Sequence, residues 1–355
     1  MKAIKVVEAG KAEIQDVSVP ELKDEYLLVK IKNVALNPTD CHIQVPRSDA
    51  ISVGFPSLEQ LFSRLHLPKS TRLVGTVEEV GPNVGGDFKK GDRVAGVTQG
   101  CNAFNLEEGA FAEYAIIKEG GLFKVPENVK DEEAATVGLA FATVGLGLYQ
   151  TLSLPWPGTV PANCPVLIYG GSSATGSIAI QFAKLSGATV VTTCSPRNFD
   201  FVKSLGASEA FDYNDPECAD KIHKYTNDSL FSALDCIGGE QGGKITSKSI
   251  SSKGGQICSI VPGTEYPRPD VRATAVLAYK IRGEPWKLMQ DMPATLEDYQ
   301  FGQIFFRLAV KLLGEGKVKV HPPKVGQGLD GVLQGLDDMR QGKVSGEKLV
   351  YLVDL

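Results

Sequence analysis

The sequence predicts an α/β protein: a doubly wound parallel sheet joined to a second domain of short strands built like a β-barrel. Three observations predict it. The apolar run Val166-Leu-Ile-Tyr169 enters a loop of small residues, Gly170-Gly-Ser-Ser-Ala-Thr-Gly176, which opens directly into the helically periodic stretch 177–185. Further apolar runs alternate with helical segments, the pattern of parallel strands joined by crossover helices. Upstream, short alternating strands are separated by glycine-rich turns, the pattern of a barrel. With 355 residues the chain exceeds one compact core, so two domains are expected: residues 1–160 with 300–355 as the barrel domain, and residues 161–299 as the parallel sheet.

In chain order, Leu27-Leu-Val-Lys-Ile-Lys-Asn-Val-Ala35 alternates like a half-buried strand, and Gly75-Thr-Val-Glu-Glu-Val-Gly81 does the same before a turn at Pro82-Asn83. Lys90-Gly-Asp-Arg-Val-Ala-Gly96 is a turn into another strand, and Gly109-Ala-Phe-Ala-Glu-Tyr-Ala-Ile-Ile117 follows. Residues 57–67 can form an amphipathic helix with Leu58, Leu61, Phe62 and Leu65 on one face. Residues 138–149 are apolar but too short for a membrane span, and read as a buried helix. Residues 155–165 carry four prolines and read as a linker. Ala188-Thr-Val-Val-Thr-Thr193 is a second strand, rich in β-branched residues. Residues 209–213, 231–237 and 255–261 are three more, the last two stopped by Gly238-Gly239 and Pro262-Gly263. Pro262, Pro267 and Pro269 then interrupt any edge strand, which favours a monomer. Lys343-Val-Ser-Gly-Glu-Lys-Leu-Val-Tyr-Leu-Val353 ends as a strand that returns to the first domain.

The loop at Gly170 stands where a glycine-rich turn can hold a pyrophosphate at a helix N-terminus. Its spacing is G-G-x-x-x-x-G rather than G-x-G-x-x-G, so a tight strand–helix connection without ligand is the competing reading. Gly170 and Gly171 permit the sharp turn; Ser172, Ser173, Ala174 and Thr175 offer backbone N–H groups and hydroxyls. A site for NAD places Asp or Glu at the end of the second strand, about 20 residues on. Here the chain reads Cys194-Ser195-Pro196-Arg197-Asn198, with a hydroxyl, a guanidinium and an amide, and no carboxylate to repel a 2′-phosphate. That selects NADPH. Tyr213, Ile260 and Val261 end their strands at the edge where ligands bind such sheets, as contacts for adenine or nicotinamide or as packing.

Composition narrows the class. An apolar fraction of 43% with mixed charge suits a globular protein, and a net charge of −5 without basic clusters argues against nucleic acid and anionic membranes as partners. Seven scattered cysteines suit reduced thiols, and the strand-like start at Met1-Lys-Ala-Ile-Lys is not a signal peptide; cytoplasmic residence is the expectation.

Asn37-Pro-Thr-Asp40, Val80-Gly-Pro-Asn-Val-Gly85, Gly91-Asp-Arg-Val94, Gly109-Ala-Phe-Ala-Glu-Tyr114, the Gly170 loop and Ser345-Gly-Glu-Lys-Leu349 together resemble the medium-chain dehydrogenase/reductase superfamily. Tyr169-Gly-Gly-Ser-Ser-Ala-Thr175, Thr193-Cys-Ser-Pro196, Asn198-Phe-Asp200 and Phe211-Asp-Tyr213 are similar to the fungal trans-acting enoyl reductases of polyketide assembly. The resemblance implies a GroES-like barrel domain and a Rossmann domain with the active site between them. It implies NADPH-dependent reduction of an α,β-unsaturated thioester on the carrier domain of a partner polyketide synthase. By the same resemblance Thr39, Cys41 and His42 lie near the nicotinamide, and Ser345 and Gly346 close on the cofactor. Leu139, Ala140, Phe141 and Thr143, with Ile281, Arg282, Gly283 and Glu284, line the substrate pocket, and Thr143 and His42 are the candidate polar groups at the carbonyl.

Catalytic zinc in this superfamily needs a Cys, a His in a Gly-His-Glu context and a further thiolate. Asn37 stands at the first position and Ser70-Thr-Arg72 at the second, while Cys101 alone falls where four structural-zinc cysteines would be, so no metal is expected. Conjugate reduction needs none: hydride goes to the β-carbon and charge develops on the carbonyl oxygen, which wants hydrogen-bond donors. The run that is Gly-Thr-Asp-Tyr-Ala-Gly in near relatives has become Ser70-Thr-Arg-Leu-Val-Gly75. Two other functions use the same residues: a free-standing quinone or enone reductase, and a non-catalytic NADPH-binding relative.

Overall fold

A computed structural model describes residues 1–8, 11–42, 72–100, 102, 104, 105, 107–287 and 291–353, with the side chains of residues 8, 41, 42, 287 and 291 outside the description. The expected helix at 57–67 lies outside the described residues. The chain divides into two units, one of Met1–Leu139, Tyr279–Glu315 and Val320–Leu355, the other of Ala140–Ala278 with Gly316–Lys319.

The second unit is built on six parallel strands. Across the sheet they run Glu209–Phe211, Thr189–Thr193, Pro165–Tyr169, Ser232–Asp235, Gly255–Ser259 and Val271–Ala275. Counted along the chain this is the order 3-2-1-4-5-6 of the doubly wound nucleotide fold, whose direction of winding reverses beside its first strand. Val166, Leu167 and Ile168 are buried because helices cover both faces, which is why that strand reads as a continuous apolar run.

The first unit is a seven-stranded sheet running Pro323–Gln327, Lys348–Leu352, Tyr26–Ala35, Arg72–Val80, Arg93–Val97 and Leu122–Lys124, with Tyr114–Lys118 also paired to Tyr26–Ala35. Its core gathers Leu27, Val29, Ile31, Val77, Phe111 and Ile117. The C-terminal strand pairs Val350 with Ala35, as expected of a chain end that returns to its first domain.

Three expectations need correction. The proline-rich stretch is no linker. Trp156 packs on Tyr149, and the backbone N–H groups of Ala162 and Asn163 donate to Ser186 and Gly187, so residues 155–165 lie on the second unit, whose boundary is at Ala140 rather than 161. At the other end residues 279–299 belong to the first unit, not the second. Third, the sheet has a sixth strand, Val271–Ala275, formed after the prolines rather than through them. The buried helix begins at Gly138 as expected and continues to Thr151; with the short helix Asp131–Ala134 before its turn, the stretch Asp131–Thr151 is 21 residues long and apolar enough to cross a membrane, yet 83% of its most apolar window is buried inside the protein, as in a core helix.

Candidate cofactor and substrate site

The second unit gathers the predicted phosphate residues at the carboxyl ends of its strands. Gly170 takes a positive φ of 82°. Its N–H donates to Thr193 Oγ1 at 3.0 Å and that of Gly171 to the Thr193 carbonyl at 2.9 Å, so the loop is tied to the neighbouring strand. A Cβ at Gly171 would stand 2.1 Å from Thr192 Oγ1, and one at Gly176 would stand 2.3 Å from the Gly170 carbonyl oxygen. Both glycines are therefore demanded by close approach rather than by dihedral angle. Ser173 caps helix Ala174–Leu185 by accepting from Gly176 N–H at 3.0 Å. The N–H groups of Ala174 and Thr175, in the first helical turn, have no partner within the helix and sit at its positive pole. This is a cradle that fits a pyrophosphate.

Farther along the same edge, Ser195 Oγ and Tyr213 Oη lie 3.2 Å apart, and Gln241 Nε2 donates to the Tyr213 carbonyl at 2.9 Å. Ser195 leads into the turn Pro196–Asn198, which exposes Arg197. Two segments 18 residues apart in sequence thus present a hydroxyl pair, and the exposed Arg197 follows Ser195 by two positions in the chain. Ile260 is half-buried and Val261 exposed.

Sequence reasoning missed the residue that organises this edge. Asp235 is fully buried at the end of its strand and accepts from the N–H groups of Ile237 and Gly238 at 2.9 and 2.8 Å and from Tyr266 Oη at 2.8 Å. It fixes the loop that presses Ile237 onto Gly170, where a Cβ would lie 2.3 Å from Ile237 Cγ1. The signal was available: a carboxylate ending an apolar strand just before Gly-Gly must be satisfied by the turn that follows.

The first unit holds Thr39, Ser345 and Gly346. Asn37 N–H donates to Asp40 Oδ2 at 2.7 Å, and Lys348 Nζ donates to Asn37 Oδ1 at 2.7 Å. The turn bearing the exposed Thr39 is thereby fastened to the strand that follows Ser345 and Gly346, whose φ is 72°. Arg72, buried beside them, donates to the Thr136 carbonyl at 3.1 Å, two residues before helix Gly138–Val144. Burial raises the Asp40 carboxyl to about 6, against the pull of Lys348 and Arg72. Burial, with the same two cations, lowers His321 to about 4. Neither unit places every predicted residue at an open surface. Thr143, Ala140 and Phe141 are buried, Phe141 edge-on to Phe182 at 5.9 Å, while Leu139 is half-buried. Ile281 is buried, and Arg282 binds Glu108 and Glu284 inside the first unit, where Tyr26 Oη also donates to Glu284. Gly283 turns there with a φ of 71°. The helix widens to i→i+5 bonds over Gly145–Thr151, with Leu152 N–H reaching the Gly147 carbonyl. The side chains of Cys41 and His42 lie outside the described residues.

Among the described residues, those at the position of a catalytic zinc do not suit it. The position of the first zinc thiolate is an amide that accepts from an ammonium, with a second cation, Arg72, buried beside the one carboxylate. No cluster of three or more His, Cys, Asp or Glu suited to a metal occurs among the described residues.

Two family profiles match the chain: alcohol dehydrogenase GroES-like domain over residues 23–127 and zinc-binding dehydrogenase over residues 174–261. The trans-enoyl reductase ACTTS2 of Alternaria alternata is 38% identical over 358 residues, covering 99% of each chain. The trans-enoyl reductase resD of Aspergillus sclerotiorum is 39% identical over 373 residues, covering 99% of this chain and all of its own. Among solved structures, the CurK enoyl reductase superposes with a TM-score of 0.78 at 20% identity over 99% of each chain. An alcohol dehydrogenase superfamily protein from Novosphingobium aromaticivorans gives 0.81 at 22% over all of each chain. These two speak for the fold. With a nucleotide cradle on the page and relatives of this identity along the whole chain, the protein belongs to the medium-chain dehydrogenase/reductase superfamily, among the trans-enoyl reductases, and is an oxidoreductase dependent on a nicotinamide dinucleotide.

Proposed function

We propose that the protein reduces the α,β-double bond of a polyketide thioester presented by a partner synthase, with NADPH as reductant. The observation that carries the cofactor choice is the Ser195–Tyr213 hydroxyl pair, with Arg197 exposed two residues after Ser195, at the strand end where an NAD site would carry a carboxylate. The names of the relatives, trans-enoyl reductases, support the reaction and a substrate held by another protein.

Bound in the cradle, the dinucleotide supplies the hydride for the β-carbon. The chain's own part is to hold and to polarise. The N–H groups of Ala174 and Thr175 and the hydroxyls of the Gly170 loop take the pyrophosphate, while Arg197, Ser195 and Tyr213 take the 2′-phosphate. Thr143 and His42 are the donors proposed for the carbonyl oxygen, where negative charge grows as hydride arrives, and a protein donor or water then gives the proton that completes the α-carbon.

The test is to mix the purified protein with NADPH and a crotonyl pantetheine and follow the reduced-nicotinamide absorbance, then repeat with NADH. Oxidation of NADPH with a saturated thioester as product, and much slower oxidation of NADH, is the expected result. Turnover of free enones but never of thioesters would replace this reading with a free-standing enone reductase. Failure to bind NADPH would replace it with a non-catalytic relative.

A further inference from the structure

Arg72 has no role in the function as proposed, yet it is a fully buried cation of the first unit that bonds outside its own strand. It starts the strand Arg72–Val80 and is 2% exposed. Its guanidinium donates to the Thr136 carbonyl at 3.1 Å, in the turn that leads to Leu139. The Asp40 carboxylate lies within its electrostatic reach, and so does Tyr279, at the start of the segment that continues to Arg282. Asp40 in turn holds Asn37, and Asn37 holds Lys348. Arg72 therefore bonds to the turn before the helix bearing Leu139, faces Asp40 of the Thr39 turn and Tyr279, and is linked through Asp40 and Asn37 to the strand after Ser345–Gly346. A planar fork of five donors can serve several acceptors at once, which a short acidic side chain at this position could not.

We propose that Arg72 is a positioning residue, which acts through Asp40 and Thr136 to hold the Thr39 turn and the Leu139 helix in the arrangement that receives cofactor and substrate. The inference rests on the reading of this protein as an NADPH-dependent enoyl reductase. Among the described residues, the charged or titratable groups facing Asp40 or Arg72 are Lys348, His321 and Tyr279, with the Asn37 amide bonded to the carboxylate. Lys348 and Arg72 are the two cations that favour ionised Asp40, so removing the Arg72 charge moves Asp40 titration to higher pH. His321, lowered to about 4, stays neutral through that range.

The experiment compares the full-length native protein with Arg72→Gln, which can still donate to the Thr136 carbonyl, and Arg72→Lys, which keeps the charge. NADPH affinity is titrated by fluorescence from pH 5 to 8, and kcat and KM for crotonyl pantetheine are measured alongside. The expected result is that Arg72→Gln melts cooperatively, raises the thioester KM about tenfold, and moves the acid limb of NADPH binding up by about one pH unit, whereas Arg72→Lys restores the native limb. Native affinity, KM and acid limb in Arg72→Gln overturn the proposal, as does a Lys variant that behaves like Gln. If Arg72→Gln does not melt cooperatively, Lys348→Gln removes the other cation from the same carboxylate, and an unmoved limb there overturns it too. A native protein that binds NADPH but reduces no thioester sinks the enoyl reductase reading, while the binding limbs of the variants still decide the role of Arg72.

Discussion

Arg197, Gly171 and Asp235 illustrate three degrees to which a residue's role can be read without a fold. Arg197 was legible as chemistry: a cation where an NAD site carries an acid. The structure adds that Tyr213 reaches Ser195 across 18 positions, which no local motif announces. Charge-assisted hydrogen bonds contribute about 1.5–3 kcal/mol. Arg197→Glu should therefore weaken NADPH relative to NADH by roughly ten- to a hundredfold, read as the ratio of kcat/KM for the two cofactors. An unchanged ratio would remove Arg197 from the phosphate site. Gly171 was legible as a turn residue, but its reason is different: its dihedral is ordinary, and Thr192 Oγ1 occupies the space of a Cβ. Asp235 went unread because its three donors come from residues 237, 238 and 266, and only the fold brings Tyr266 to it.

At the scale of elements, the strands that alternate or run apolar were found, and those set by neighbours were not. Val271-Arg-Ala-Thr-Ala275 has one buried residue in five, because it lies at the sheet edge, so no apolar pattern marks it. The proline argument for a monomer falls with this strand, since Pro262, Pro267 and Pro269 all precede it. A different argument takes its place. The edge is only five residues long and exposes the charged Arg272, held by Gln256, and short charged edges discourage pairing between copies. We propose a monomer on that ground: sedimentation should return a mass near 38.0 kDa, and twice that mass would mean that the edges pair.

At the scale of the whole molecule, the buried polar cluster of the first unit ties stability to pH. His321 is lowered from its ordinary 6.5 to about 4, chiefly by burial, so the folded chain refuses a proton that the unfolded chain accepts. Its contribution is fully present above pH 6.5 and is lost as pH falls through 4, by roughly 3 kcal/mol in all. Asp40 works the other way: raised from 3.8 to about 6, it contributes below 3.8 and loses that contribution as pH rises through 6. The stability gap between the native protein and His321→Gln should therefore narrow from pH 7 to pH 4, as read by denaturant unfolding at each pH. A gap independent of pH would show that His321 does not stay neutral in the folded state. The sequence by itself determined the two-domain α/β plan, the family and the phosphate-binding loop, because periodicity, turn residues and short motifs are local properties of a chain. Only the tertiary structure decided where the units divide, that the proline stretch lies on the sheet unit, and which partners Asp235, Arg72 and Arg282 hold. Those depend on burial and on groups far apart in the chain, and the free energy of a buried charge is set by neighbours that only folding supplies.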